Sequence, residues 1–182
     1  MAVLLLNFCA LIPLTKNIAK PQLVTCNAKR QNPKITMGLF EKFKNTIEPN
    51  ELKRKKSHIK NLYSVAMADG RLANDEFDFL LSVANKLYIN PSVVQNVIHF
   101  PDDISFFVPP HDREKLDQVY DCVCMAVIDG EINEREISVC KLIAVKLGFR
   151  PIVVDHIIEH ILHSVLKGVA SDIALAKLLN EI

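Results

Sequence analysis

Two stretches of this 182-residue chain carry the same acidic pattern. Asp69-Gly70 is followed by Leu72 and Glu76, and Asp129-Gly130 by Ile132 and Glu136. Carboxylate oxygens suit hard cations such as Ca²⁺ and Mg²⁺, and a Gly followed six residues later by Glu is the spacing of the second half of an EF-hand loop. The first half is missing. Its first and third positions fall on Val65 and Met67 in one stretch and on Met125 and Val127 in the other, none with a side-chain oxygen. Neither stretch is therefore an EF-hand. What remains is two half-sites, and we expect Asp69, Glu76, Asp129 and Glu136 to meet around one divalent cation, Ca²⁺ or Mg²⁺. The same residues also have a purely structural account. Asp before Gly helps to stop a helix, and Glu at the third helical position caps the next one and favours its dipole. Asn133 is placed to form a capping box with Glu136, whereas Ala73 has no side-chain acceptor to offer Glu76.

A second metal pattern lies further on. His156-Ile157-Ile158-Glu159-His160 has the His-x-x-Glu-His arrangement in which two histidines hold zinc and Glu acts as general base, and His163 extends the same face. A zinc-dependent hydrolase is the alternative that this motif raises. Against it, these residues lie opposite the apolar stripe of their helix, and the matching stretch of the first repeat has Asn96 and Phe100 at the two His positions. No Ser–His–Asp or Cys–His arrangement suggests a nucleophile, and the expectation is a protein that is not an enzyme.

The elements that position the acidic pattern come as a sixty-residue repeat. Residues 57–100 overlay 117–160 without a gap, with eleven identities in 44 positions, among them Ala84/Ala144, Lys86/Lys146, Leu87/Leu147, Pro91/Pro151 and Ile98/Ile158. Each copy reads as three helices. The first spans about 51–69 or 111–129 and stops at Asp-Gly; the second spans about 74–88 or 134–147; the third begins at Pro91 or Pro151. Residues 101–110 read as a linker and 170–181 as a closing helix. The expected fold is all-α: a compact helical bundle of two pseudo-symmetric three-helix repeats (about 51–100 and 111–160) plus a C-terminal helix, within a domain over 37–182.

Ala66-Met67-Ala68-Asp69-Gly70-Arg71-Leu72 with Glu76, and Ala126-Val127-Ile128-Asp129-Gly130-Glu131-Ile132 with Glu136, resemble the tellurite-resistance TerB family. They are similar as well to the related N-terminal module of the membrane co-chaperone DjlA. The helix ends at Lys86–Pro91 and Lys146–Pro151 agree, and the resemblance covers about 40–182. It implies an all-helical fold, divalent-cation binding at Asp69, Glu76, Asp129 and Glu136, and a stress-response role near the membrane. A protein partner is expected from charge, since the basic run at 53–56 beside an acidic remainder makes the domain dipolar and suits docking to a charged partner. Two departures matter. No His-Pro-Asp tripeptide or J-domain follows, so co-chaperone recruitment is not implied. Arg71 stands where the family has an acidic or polar residue, which weakens the first half-site.

Charge points the same way. The formal net charge of +1 hides five basic and no acidic residues in 1–36, against 17 basic and 21 acidic in 37–182. An acidic domain argues against nucleic acid and for cations. With no Trp and five glycines, neither a Walker nor a dinucleotide fingerprint is present. The basic run Lys53-Arg54-Lys55-Lys56 reads as a solvated face, or as a contact to anionic lipid in a protein that is cytoplasmic and membrane-associated. Met37-Gly38-Leu39-Phe40 reads like a natural start. That makes residues 1–36 a mis-start or a disordered tail, with an authentic signal as the alternative. Five cysteines (Cys9, Cys26, Cys122, Cys124, Cys140) form no Cys-x-x-Cys pair and read as reduced thiols, the last three in apolar helices.

Overall fold

Proline and glycine punctuate the chain into helices. In the computed structural model, which describes residues 48–181, they are α1 (Asn50–Ala66), α2 (Asn74–Lys86), α3 (Pro91–His99), α4 (Asp112–Met125), α5 (Glu134–Lys146), α6 (Pro151–Leu166) and α7 (Ser171–Leu179). No strand occurs among the described residues, so the chain is all-α there. The leader assigned to 1–36, the start at Met37, and Cys9 and Cys26 lie outside the described residues. Pro91 and Pro151 open α3 and α6, where the missing N–H costs nothing and the fixed φ suits the first turn.

The first helix of each copy is shorter than expected. α1 stops at Ala66 and tightens into a 3₁₀ turn, Met67–Asp69, while α4 stops at Met125 and continues as turns to Gly130. The tightening feeds the chain into Gly70 and Gly130 at φ +94° and +86°, a left-handed geometry that glycine adopts without a Cβ clash. α2 and α5 have identical lengths and bounds sixty residues apart. Their inward faces agree: Leu80 and Cys140, Val83 and Ile143, Ala84 and Ala144 are all buried.

α1 packs on α3, α4 and α5, and α4 packs on α5, α6 and α7, so these two helices run through the middle of the bundle. Ile59, Leu62, Leu116, Val119, Ile157 and Ile158 are among the residues they enclose. Cys122 and Cys140 are core residues, and the Cys140 thiol donates to the Cys122 carbonyl at 3.4 Å. Burial pushes the Cys124 and Cys140 thiols up to about 12, which leaves them protonated and unreactive. The crossing of α1 and α4 also buries polar groups that the sequence reading missed. His58 lies 3.3 Å from Asp121, with Asn61 and Gln118 buried beside them in the chain at the matching repeat positions.

Three helices end alike, and the first is the odd one. Ile89, Phe149 and Val169 donate back to Ala84, Ala144 and Ser164, closing a Schellman turn each time. The left-handed residue before them is Gly148 at φ +102° and Gly168 at φ +66°, but Tyr88 at φ +56°. Tyr88 is 93% exposed, so no burial offsets its backbone strain. Tyr88→Gly is expected to raise stability by about 0.5–1 kcal/mol, read as a higher urea midpoint with an unchanged slope.

Candidate metal centre

The 3₁₀ turn that carries Asp69 packs on α5, and this contact brings the two acidic stretches together. Asp69, Glu76, Asp129 and Glu136 all line one open cleft of about 330 Å³, shared with Arg71, Glu131, Asn133 and Glu134. Of the residues predicted from the sequence, none is left outside it. They do not close on one point. Among the described residues, no group of three or more His, Cys, Asp or Glu side chains stands in metal-holding geometry.

Local hydrogen bonds explain why the carboxylates stand apart. Asp69 accepts the Arg71 backbone N–H at 3.0 Å on Oδ1 and the Arg71 Nε–H at 3.1 Å on Oδ2. Asp129 accepts the Glu131 N–H at 2.9 Å, the same turn without the guanidinium. The Arg71 backbone amide, followed by its side chain, holds the Asp69 carboxyl below the usual range despite some desolvation. Glu76 Oε2 accepts the Ala73 N–H at 2.6 Å. That bond corrects the capping argument: the Glu half of the box needs only the backbone at position 73, so Glu76 has a structural duty even though Ala73 has no side-chain acceptor. In the second copy Asn133 does cap α5, through the Arg135 N–H at 2.9 Å rather than that of Glu136.

Glu76 and Glu136 sit at the third position of α2 and α5 and are each 8% exposed. Burial raises the Glu76 carboxyl, the Ala73 N–H opposes that, and Asp69 and Asp129 raise it further. Burial, then the negative charges of Glu76, Asp129 and Asp69, push Glu136 up to about 7. The cleft is thus a concentration of negative charge in which, among the described residues, Arg71 is the positive side chain. A divalent cation would supply the missing positive charge, and hard carboxylate oxygens are the right donors for Ca²⁺ or Mg²⁺.

The histidine motif is arranged otherwise. His156, Glu159 and His163 are exposed on α6. His156 Nε2 lies 3.0 Å from Glu181, and His160 Nε2 lies 3.2 Å from the Ala174 carbonyl on α7. Both ring nitrogens therefore face the C-terminal segment and not a common point. The basic run corrects another expectation. Lys53, Arg54, Lys55 and Lys56 are half-buried and not a solvated face. Arg54 pairs with Glu114 at 2.7 Å, tying α1 to the start of α4, and Lys55 pairs with Glu51 at 2.6 Å. Among the described residues, no helix is long and apolar enough to cross a membrane.

The sequence reading missed Glu131, Ile132, Asn133 and Glu134 as cleft residues. Their signal was present: all lie between Gly130 and Glu136, the segment that must bridge the two outer motif residues. No family model, curated protein or solved structure matches the chain.

Proposed function

We propose that the chain is a non-enzymatic, TerB-like stress-response module that binds one divalent cation, Ca²⁺ or Mg²⁺, and docks a protein partner near the membrane. The observation that supports the cation most is the common cleft of Asp69, Glu76, Asp129 and Glu136, drawn from stretches sixty residues apart. The raised carboxyls of Glu76 and Glu136 add to it, because a bound dication removes the repulsion that disfavours their ionised forms. Arg71 must leave Asp69 for both of its oxygens to take part.

Calorimetric titration of the full chain with Ca²⁺, Mg²⁺ and Zn²⁺ tests this reading. The expected result is saturable binding of Ca²⁺ or Mg²⁺ near one equivalent, weakened at least about tenfold, or 1.4 kcal/mol, in Asp69→Asn/Asp129→Asn. Wild-type protein that takes up none of the three ions is a metal-free interaction domain, and the proposal fails. Tight Zn²⁺ binding with peptide hydrolysis lost in Glu159→Gln would instead establish the hydrolase.

A further inference from the structure

Beside the acidic cleft, against α5 and α6, lies a second hollow of about 350 Å³. Ile137 and Leu162 give it apolar walls, and Ile132 and Glu134 border both hollows. The two are therefore one continuous surface, acidic at one end and mixed at the other, where Ile132, Ile137 and Leu162 stand beside Ser138 and Lys141. Ile132 is 52% exposed, whereas Leu72, its counterpart in the first repeat, packs against the core. An isoleucine left in water at the edge of a hollow favours being covered. Lys141, which lines the second hollow, is turned to Asp155 at 2.7 Å, so it does not neutralise Glu134 at the border of the two hollows. At the acidic end Glu136 is nine-tenths buried and borders the cleft; it is hydrogen-bonded to the Asn133 side chain, and no cation pairs with it among the described residues. Among the described residues, Arg71 is the positive side chain in the cleft lining, and Asp69 already holds it.

Charge complementarity selects the occupant. We propose that this surface docks an amphipathic helix of a partner protein, with a Lys or Arg side chain entering the acidic cleft and a Leu, Ile or Met one turn away covering Ile132. Residues three or four apart on a helix share a face, which lets one segment present both groups at once. This goes beyond the cation reading, since the partner brings its own positive charge and requires no metal.

The test is fluorescence anisotropy of the full chain in EDTA with a labelled amphipathic peptide about four turns long, Leu on one face and Lys on the other. Saturable binding is expected, at least about tenfold weaker in Glu134→Lys and in Ile132→Ser, and falling as salt rises. Both substitutions are at exposed positions, so folding is retained and is checked by circular dichroism. Peptides with Glu in place of Lys, or Ser in place of Leu, should not bind. Asp102→Lys makes the same charge change outside both hollows and should leave binding intact. Equal losses in Asp102→Lys and Glu134→Lys would reduce the effect to bulk charge and overturn the proposal. A protein that dimerises through Ile132 by sedimentation, and ignores the peptide, would overturn it too by assigning the surface to a second copy. Because the peptide is measured without metal, its failure leaves the cation reading untouched, and failure of cation binding leaves this one standing.

Discussion

Replacing Glu136 by Gln is expected to make the cation-free protein more stable at pH 8 by about 3 kcal/mol. The reason is a carboxyl that is costly to ionise where it stands. Its folded value of about 7 lies well above the ordinary 4.5, chiefly because it is buried, and then because Glu76, Asp129 and Asp69 are close. Between those two pH values the folded chain holds a proton that the unfolded chain has released. Stability from this group is therefore complete below about pH 4.5, declines as pH rises, and is lost once pH passes about 7. At about 1.36 kcal/mol per pH unit the full loss is about 3 kcal/mol, and the helix-dipole contribution forgone by an uncharged third residue, about 0.5 kcal/mol, subtracts little. Gln keeps the shape and cannot ionise, so the part of the decline that Glu136 causes should vanish in the variant, leaving what the raised Glu76 carboxyl contributes. Urea unfolding of both proteins from pH 4.5 to 8 in EDTA reads this directly. Parallel pH profiles for wild type and Glu136→Gln would show that the carboxyl is not destabilised at all. With Ca²⁺ present the order should reverse, because the wild type gains binding energy from a carboxylate that the variant lacks.

Much of this geometry is legible in the sequence. Helix starts at Pro91 and Pro151 follow from a residue that cannot donate, and the chain turns at Gly70 and Gly130, a little beyond the ends of α1 and α4, follow from a residue that tolerates positive φ. Duplicated spacing was enough to bring Asp69, Glu76, Asp129 and Glu136 under suspicion as a set, and they do share a cleft. What spacing does not carry is the fate of each oxygen. Asp69 turns to Arg71, and Glu76 to the Ala73 N–H, because those donors lie two and three residues away and impose no chain entropy to reach. Long-range pairs were equally hidden. Arg54 finds Glu114, and His58 finds Asp121, only once α1 and α4 lie side by side. For the same reason the run Lys53–Lys56 is half-buried and not solvated: its composition says nothing of what stands opposite. The polar residues at 58, 61, 118 and 121 stand at matching repeat positions, but α1 and α4 carry so many other polar side chains that nothing in the sequence marks these four as the ones that are enclosed.

Arg71→Glu is expected to tighten divalent-cation binding about thirtyfold. In the proposed cation site Arg71 opposes a bound ion twice over. Its guanidinium occupies Asp69 Oδ2 at 3.1 Å, and its charge opposes any cation entering beside it. Position 131, the counterpart in the second stretch, already holds Glu, and there Asp129 makes the same turn through the Glu131 N–H. The substitution therefore copies a side chain that the turn is known to accept, and the backbone bond from residue 71 to Asp69 survives it. Arg71 is exposed, so little packing is lost. In water, a unit charge at a separation of ~8 Å contributes ~1 kcal/mol with a dication. Removing a positive charge and adding a negative one thus amounts to about 2 kcal/mol, or about thirtyfold in Kd. Calorimetry of Ca²⁺ binding at low salt measures it, and raising the salt should shrink the gain. Arg71→Gln separates the two effects. It frees the Asp69 oxygen and removes the positive charge without adding a negative one, and should give about half of the free-energy gain. An affinity that does not change in either variant would place the cation away from Asp69, and with it away from the cleft.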